Sequence, residues 1–398
     1  MPTANRRTYR ALLRIPGAAA FFLSGVVGRV GLAMTGVGIV WLVYARTGSF
    51  GEAGVVTGCF AVADALGGPQ VGRLVDRFGQ ARVLVCALSV HAGAIGLLFA
   101  GGNLLTLAGA VLAGASLPQL SALSAARWPA LLRGTPHESA LPRAFTLEAL
   151  ANGVSFLAGP ALVSAVGAAG YPRLGSLLAA LLVVGGGLSL AAQRRTAPPV
   201  AGRAERRGAG RSLLRGAFIR LVALNAALGV FFGALQVSVT AYAVGRGTPD
   251  VAPLLYAVSN CSNLAGGWAY GVRHWNAPPE RQRALAAAGL ALACLPLTVV
   301  DGPWMVAACL ALTGLAVPVL LVVFSVLAEN AVDRAVLTQA FTWLGSASAA
   351  GTAGAAALAG RAVDGAGPHA GFAVGAVAAL GMVVLASGVR AGGRAGRG

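Results

Sequence analysis

The sequence predicts an all-α membrane protein of about twelve transmembrane helices, arranged as two six-helix bundles that are parallel repeats of each other. Three observations predict it. The 398 residues are 57% hydrophobic and only 11% charged, with a mean hydropathy of +0.76. A soluble domain carries roughly a quarter of its residues charged, so most of this surface must face lipid. The apolar residues also fall into long runs, and three short motifs of the first half recur in the second.

Crossing ~30 Å of hydrocarbon takes about twenty apolar residues in a helix. Twelve runs meet this: 17–45, 52–74, 82–101, 104–127, 143–168, 174–193, 217–243, 251–272, 284–301, 303–328, 338–360 and 370–389. The first follows Arg6, Arg7, Arg10 and Arg14 as a signal peptide would, but it is too long and lacks a clean cleavage site, so it reads as a retained helix. Arginine position sets the topology. Twenty-five arginines fall on the side that carries both termini, only Arg46, Arg173, Arg246 and Arg361 on the other, and Arg29 within a helix. The expected location is the cytoplasmic membrane of the cell, multi-pass in the lipid bilayer, with both termini in the cytoplasm.

The expected organisation is an N-terminal half over 1–193, a cytoplasmic linker over 194–216 and a C-terminal half over 217–398. The linker is rich in Arg, Gly and Pro, including Pro198-Pro199. Across it, Leu112-x-Gly114-x-x-x-Pro118-x-Leu120 recurs as Leu312-x-Gly314-x-x-x-Pro318-x-Leu320. Gly67-Gly68-x-x-x-Gly72 recurs as Gly266-Gly267-x-x-x-Gly271, and Ala144-Phe145-Thr146 as Ala340-Phe341-Thr342. Six helices per half preserve orientation, which makes the repeat a parallel one.

Composition also excludes chemistries. The net charge of +18 lies in short clusters between apolar runs rather than on one face, so no nucleic-acid partner is expected. There is no lysine, which excludes a Walker A phosphate cradle and a pyridoxal Schiff base. Cys59, Cys86, Cys261, Cys294 and Cys309 lie in apolar stretches without metal or redox spacing, and His91, His137, His274 and His369 are scattered. Neither a metal nor a cofactor is expected. An enzyme is not expected either, because no Asp-Asp-x-x-Asp cluster or Gly-x-Ser-x-Gly elbow occurs.

Between the second and third runs stands Gly72-Arg73-Leu74-Val75-Asp76-Arg77-Phe78-Gly79-Gln80-Ala81-Arg82. Gly68 and Gly72 on one helix face admit a close neighbour, Gly79 permits a tight reversal, and Asp76 can accept from a helix N-terminus or an arginine. The segment resembles the signature loop of the major facilitator superfamily, Gly-x-x-x-Asp-Arg/Lys-x-Gly-x-x-Arg, at its expected place in a twelve-helix chain. The resemblance implies a secondary transporter and assigns Gly72, Asp76, Arg77, Gly79 and Arg82 to a cytoplasmic gate. The second half departs from the pattern, with Trp275 and Asn276-Ala277-Pro278-Pro279 where the acid would stand. The fifth run carries Asn152-Gly153 and Gly159-Pro160, which is similar to the fifth helix of bacterial drug/proton antiporters; a proline kink at a helix crossing is the alternative. The arginine those antiporters use in the fourth helix has no counterpart between Leu104 and Ala126.

Ionisable groups at bilayer depth need a partner or a watery cavity. Arg29 and Asp64 lie about twelve residues into their helices, ~18 Å deep, and are either a structural ion pair or part of coupling and substrate binding. Glu148 is the better proton carrier, or else it satisfies Arg127 or Arg143. His91 hydrogen-bonds a neighbouring helix or carries protons. In the second half the candidates are Gln236, Asn260, Asn263 and Trp268, with Asn260 and Asn263 on one helix face. Trp128, Trp275 and Trp304, at run ends, are read as interfacial anchors. The expected function is efflux of a small amphipathic substrate by a monomer, with the proton as coupling ion. Import of a small nutrient is the alternative.

Overall fold

The computed structural model describes residues 9–200, 202, 208–248, 251–273 and 275–387. The remainder, including Arg6, Arg7, linker residues 203–207, His274 and 388–398, lies outside the described residues. Every described element is helical. In chain order the helices are α1 (Ala18–Thr47), α2 (Phe50–Phe78), α3 (Gln80–Ala100), α4 (Asn103–Ala115), α5 (Leu120–Leu132), α6 (Leu141–Ala168), α7 (Pro172–Ala192), α8 (Gly216–Gly245), α9 (Val251–Val272), α10 (Pro279–Cys294), α11 (Pro303–Ala331), α12 (Leu337–Ala366) and α13 (Pro368–Ser387).

Each predicted run coincides with helix, and two of them depart in form. The fourth is two helices: residues 117–119 leave the α conformation around Pro118, which has no N–H to give and crowds the preceding turn. It also continues past Arg127 to Leu132. The ninth ends early at Cys294 and passes into a 3-10 turn, Leu295–Thr298, that contains Pro296. Among the described residues, eight helical stretches are long and apolar enough to cross a membrane. The helices outside that set are α2, α9, α10 and α12. The first of these carries Glu52, Asp64, Arg73, Asp76 and Arg77, and α10 is only 16 residues long.

Turn chemistry explains the tight reversals. Gly48 sits at φ +67° and returns its N–H to Tyr44 O, while the next residue, Ser49, caps α2 by accepting from Glu52 N at 3.2 Å.

The chain divides into two compact units, Met1–Leu213 with Val332–Ser346, and Leu214–Ala331 with Ala347–Gly398. In the first, α1 packs on α6 and α7, α2 on α4, and α3 on α4 and α7. In the second, α9 packs on α11, α8 on α13, and α10 on α11 and α13. The sequence repeat has matching close contacts inside each unit. A Cβ on Gly67 would lie 2.6 Å from Ala115 O, and one on Gly266 would lie 2.8 Å from Leu315 O. A Cβ on Gly114 would meet Phe60 O at 2.2 Å, and one on Gly314 would meet Ser259 O at 2.5 Å. These glycines let backbones touch, which is how helices associate where lipid removes the hydrophobic drive. Pro318, the repeat partner of Pro118, stays inside an unbroken α11.

Candidate functional site

The first unit buries a charge cluster where α1, α5 and α6 meet. Helix α6 presents Glu148 and Asn152 four residues apart, hence on one face. Helix α5 presents Ser121, Ser124 and Trp128 by the same spacing rule. Arg29 of α1 is 3% exposed, and its Nη1 lies 2.7 Å from Glu148 Oε2. The guanidinium also donates to Asn152 Oδ1 at 3.1 Å and to Gly25 O at 3.1 Å. Glu148 Oε1 accepts from Ser124 Oγ at 2.7 Å and from Trp128 Nε1 at 2.6 Å. Ser121 Oγ donates to Asn152 Oδ1 at 3.0 Å. Arg29 Nη2 is buried with no hydrogen-bond partner among the described residues.

This pairing corrects three expectations. Arg29 is partnered by Glu148 and not by Asp64: equal depth on consecutive helices does not fix azimuth, and Arg29 faces α5 and α6. Trp128 is fully buried, because its helix continues beyond the predicted end and its indole N–H finds a carboxylate instead of the interface. Arg127, the last residue of the fourth predicted run and an alternative partner for Glu148, is likewise buried and turns elsewhere. Its guanidinium donates to Gln80 Oε1 at 2.8 Å, Thr196 Oγ1 at 2.8 Å, Leu190 O at 2.9 Å and Gln193 O at 3.0 Å. It thus satisfies carbonyls at the C-terminus of α7, while the carboxylate of Glu148 is taken up by Arg29, Ser124 and Trp128.

Asp64 belongs to a second cluster. Its Oδ1 accepts from Gln119 Nε2 at 2.9 Å, and the same amide leans on Leu117 O at 3.4 Å, so the partner comes from the break between α4 and α5. His91 is buried on α3, with Nδ1 3.1 Å from Ala113 O.

The signature loop builds the third feature. Asp76 sits in the last turn of α2, and its carboxylate accepts the backbone N–H of Gln339 at 2.8 Å and of Thr338 at 3.3 Å. These are first-turn donors of α12, where a helix leaves N–H groups open and its dipole favours an anion. A Cβ on Gly72 would lie 2.4 Å from Thr342 Oγ1 and 2.9 Å from Gln339 Cα; one on Gly68 would lie 3.0 Å from Ser346 Oγ. Asp64, Gly68, Gly72 and Asp76 stand four residues apart along one ridge of α2, and the start of α12 packs onto it. Phe145 and Phe341, the repeat-related phenylalanines, meet edge-to-face at 5.9 Å. Gly79 has φ +90° and links α2 to α3. Arg77 lies 4.9 Å over the Phe78 ring, and Arg82 is exposed.

The remaining sequence candidates are dispersed. Gly159 lets α6 touch α1, where a Cβ would lie 2.9 Å from Val30 O. Helix α6 runs through Gly153 and Pro160 without a break. In the second unit Gln236 is exposed beside an open cavity of about 700 Å³ that Thr240, Tyr256 and Asp364 also line. Asn260 and Asn263 are half-buried on α9, and Trp268 is 57% exposed. Residues the sequence reading missed are Ser121, Ser124, Trp128 and Gln119. For Ser121, Ser124 and Trp128 the signal was the Ser-x-x-Ser-x-x-x-Trp spacing, complete once the fourth run is continued past 127; Gln119 directly follows Pro118.

The fold is shared with solved transporters. A bacterial homologue of the iron transporter ferroportin in an outward-facing state superposes with a TM-score of 0.75 at 13% identity, over 93% of this chain and 98% of that one. The human organic anion transporter MFSD10 does so with 0.71 at 17% identity, over 93% and 98%. FucP, the E. coli fucose:proton symporter, in its outward conformation gives 0.70 at 16% identity, over 94% and 98%. No curated protein sequence matches the chain. The sequence profile of the Major Facilitator Superfamily matches residues 21–303, and the chain therefore belongs to the Major Facilitator Superfamily of membrane transporters.

Proposed function

We propose that this transporter exports a small amphipathic compound in exchange for protons, by alternating access of two six-helix halves, 1–193 and 217–398, joined by the linker 194–216. The observation that carries the reading is the buried Arg29–Glu148 pair. A carboxylate held by a cation, a hydroxyl and an indole N–H is a group whose protonation has a structural consequence. Adding a proton to Glu148 removes its charge and frees Arg29 for another anion or dipole, so proton occupancy and side-chain arrangement are linked. Asp76 at the first turn of α12 acts as the gate that holds the cytoplasmic side closed, with Gly68 and Gly72 giving α12 its seat. Asp64, His91 and Asn152 are secondary polar positions of the same path, and Gln236, Asn260, Asn263 and Trp268 contribute from the second half. The protein works as a monomer in the cytoplasmic membrane, with twelve crossings and both termini in the cytoplasm.

Direction is tested in vesicles of opposite sidedness with an imposed pH gradient. Export predicts that inside-out vesicles with an acidic lumen accumulate an amphipathic cation such as ethidium and release lumenal protons as they do so. Accumulation confined to right-side-out vesicles, with protons moving inward alongside a sugar, would support the import reading instead. Topology has its own check. Reporters fused near Gly208 and at the C-terminus are both expected to read cytoplasm, and a periplasmic signal at either place removes the twelve-crossing arrangement.

A further inference from the structure

The second unit carries an apolar trough that no role above uses. It runs along α10 and α11, flanked by Leu285, Leu292 and Leu312, which are 62%, 68% and 55% exposed. Its depth comes from small residues, Ala286, Gly289 and Ala316. A Cβ built on Gly289 meets nothing within 4 Å, so the space over it is open. The trough encloses about 580 Å³. From Gln282 to Leu292 it follows α10 for about 15 Å at the helical rise. An opening that is apolar over this length and flanked by exposed leucines fits one extended hydrocarbon chain.

One end differs in chemistry. Trp275 stacks on Tyr270 at 5.4 Å and donates its indole N–H to Tyr270 O at 3.0 Å. Tyr270 in turn donates to Gln282 Oε1 at 2.5 Å. Aromatic rings with a polar tip settle at the boundary between hydrocarbon and headgroups. The Arg273 guanidinium lies 5.2 Å over the Trp275 ring, and Arg281 is exposed at the start of α10. Glu280 is the one acid between them in the sequence. Arg283 is not part of this end, because it is buried and donates to Ala386 O. The sequence repeat adds an independent argument. Where the first unit has Asp76, a carboxylate that accepts a helix N-terminus, the second has Trp275 beneath a cation. The position has exchanged an acid that seats a helix for an aromatic and positive end that an anion fits.

We propose that this trough is a binding site for a single anionic phospholipid, with an acyl chain along α10 and α11 and the phosphate at Arg273 and Arg281. The occupant is a diacyl lipid of the bilayer, not free phosphate, because the apolar length would be left uncovered by a small anion. The negative headgroup follows from the sign of the mouth, since arginines next to a membrane surface favour anionic over zwitterionic lipid.

The experiment reads Trp275 directly. The full chain, purified in detergent, is titrated with brominated phosphatidylglycerol or brominated phosphatidylcholine. Quenching of Trp275 is isolated as the difference between the parent and Trp275→Phe. Phosphatidylglycerol is expected to quench Trp275 at a mole fraction at least about fivefold lower than phosphatidylcholine. Replacing Arg273 and Arg281 together with Gln should abolish that preference. Gly289→Leu, which fills the open space without touching a charge, should weaken quenching by both lipids, and Arg14→Gln in the first unit should change neither. Equal quenching by the two lipids in the parent overturns the proposal. So does a preference that survives the double arginine variant, or quenching by brominated phosphatidylglycerol that Gly289→Leu leaves unchanged. Quenching of the double variant by free brominated fatty acid as strong as that of the parent by phosphatidylglycerol would also overturn it, since the headgroup would then contribute nothing.

Discussion

Glu148→Ala is expected to be the most damaging single substitution in the chain. It leaves the Arg29 guanidinium buried without its counter-charge, and breaking a buried pair from one side typically costs about 3–5 kcal/mol. Arg29→Ala should cost a similar amount, because Glu148 then keeps only Ser124 and Trp128. The double variant should be more stable than the sum of the single losses predicts, and the coupling is read from the double-mutant cycle of thermal unfolding in detergent. Strict additivity would mean that the pair does not interact in the folded protein. Glu148→Gln also removes the counter-charge from Arg29, but it keeps an oxygen for Trp128 and Ser124 and the shape of a neutral carboxyl, so it should cost less stability than Glu148→Ala. Carrying no titrating proton, the Gln variant is expected to exchange substrate across the membrane at near-parent rates while losing accumulation driven by a pH gradient. Retained accumulation would shift the proton to another group, with Asp64 next in line.

The second large effect is expected at the seat of α12. Asp76→Asn removes a carboxylate from two backbone donors, and hydrogen bonds to a charged group contribute about 1.5–3 kcal/mol. A loss of that size moves the population of the latched state by one to two orders of magnitude, roughly, so transport should slow by at least about tenfold with insertion unchanged. Gly72→Ala should reach the same phenotype by a different route. The carboxylate is intact there, but the added methyl would lie 2.4 Å from Thr342 Oγ1 and 2.9 Å from Gln339 Cα. Thr342→Ala should partly restore Gly72→Ala, because it removes the hydroxyl contact and leaves the backbone one, and should do nothing for Asp76→Asn. Rescue of both variants, or of neither, would break the assignment of Gly72 as the seat of that helix.

Much of this architecture is legible in the chain because lipid imposes simple rules. The apolar runs mark where helices lie, the glycine repeat marks helix contacts that recur in both units, and the Gly72–Arg82 loop marks the acid that meets α12. What escaped is azimuth. Sequence places Arg29 and Asp64 at one depth, but which neighbour each faces depends on helix rotation, and a pattern of glycines and alanines around the whole circumference fixes rotation poorly. The same ambiguity hid Trp128 and Arg127, which look like loop markers when a run is ended at its first charge. A buried arginine that caps carbonyls and a buried tryptophan that binds a carboxylate both violate composition rules for run ends. Their partners, Gln80, Thr196 and Glu148, are distant in sequence, so only the packed structure brings them together.

The ridge of α2 also behaves as a ruler. Its four marks are one helical row apart, and only the topmost turn of α12 offers open N–H groups to the carboxylate at the end of the row. A shift of α12 along its axis by a single turn, about 5.4 Å, would present Asp76 with N–H groups already committed to their own helix, and would bring side chains other than Thr342 and Ser346 opposite Gly72 and Gly68. The contact therefore has no intermediate settings: it is made at one axial position of α12 and lost at the neighbouring ones, which gives the helix a detent instead of a continuous slide.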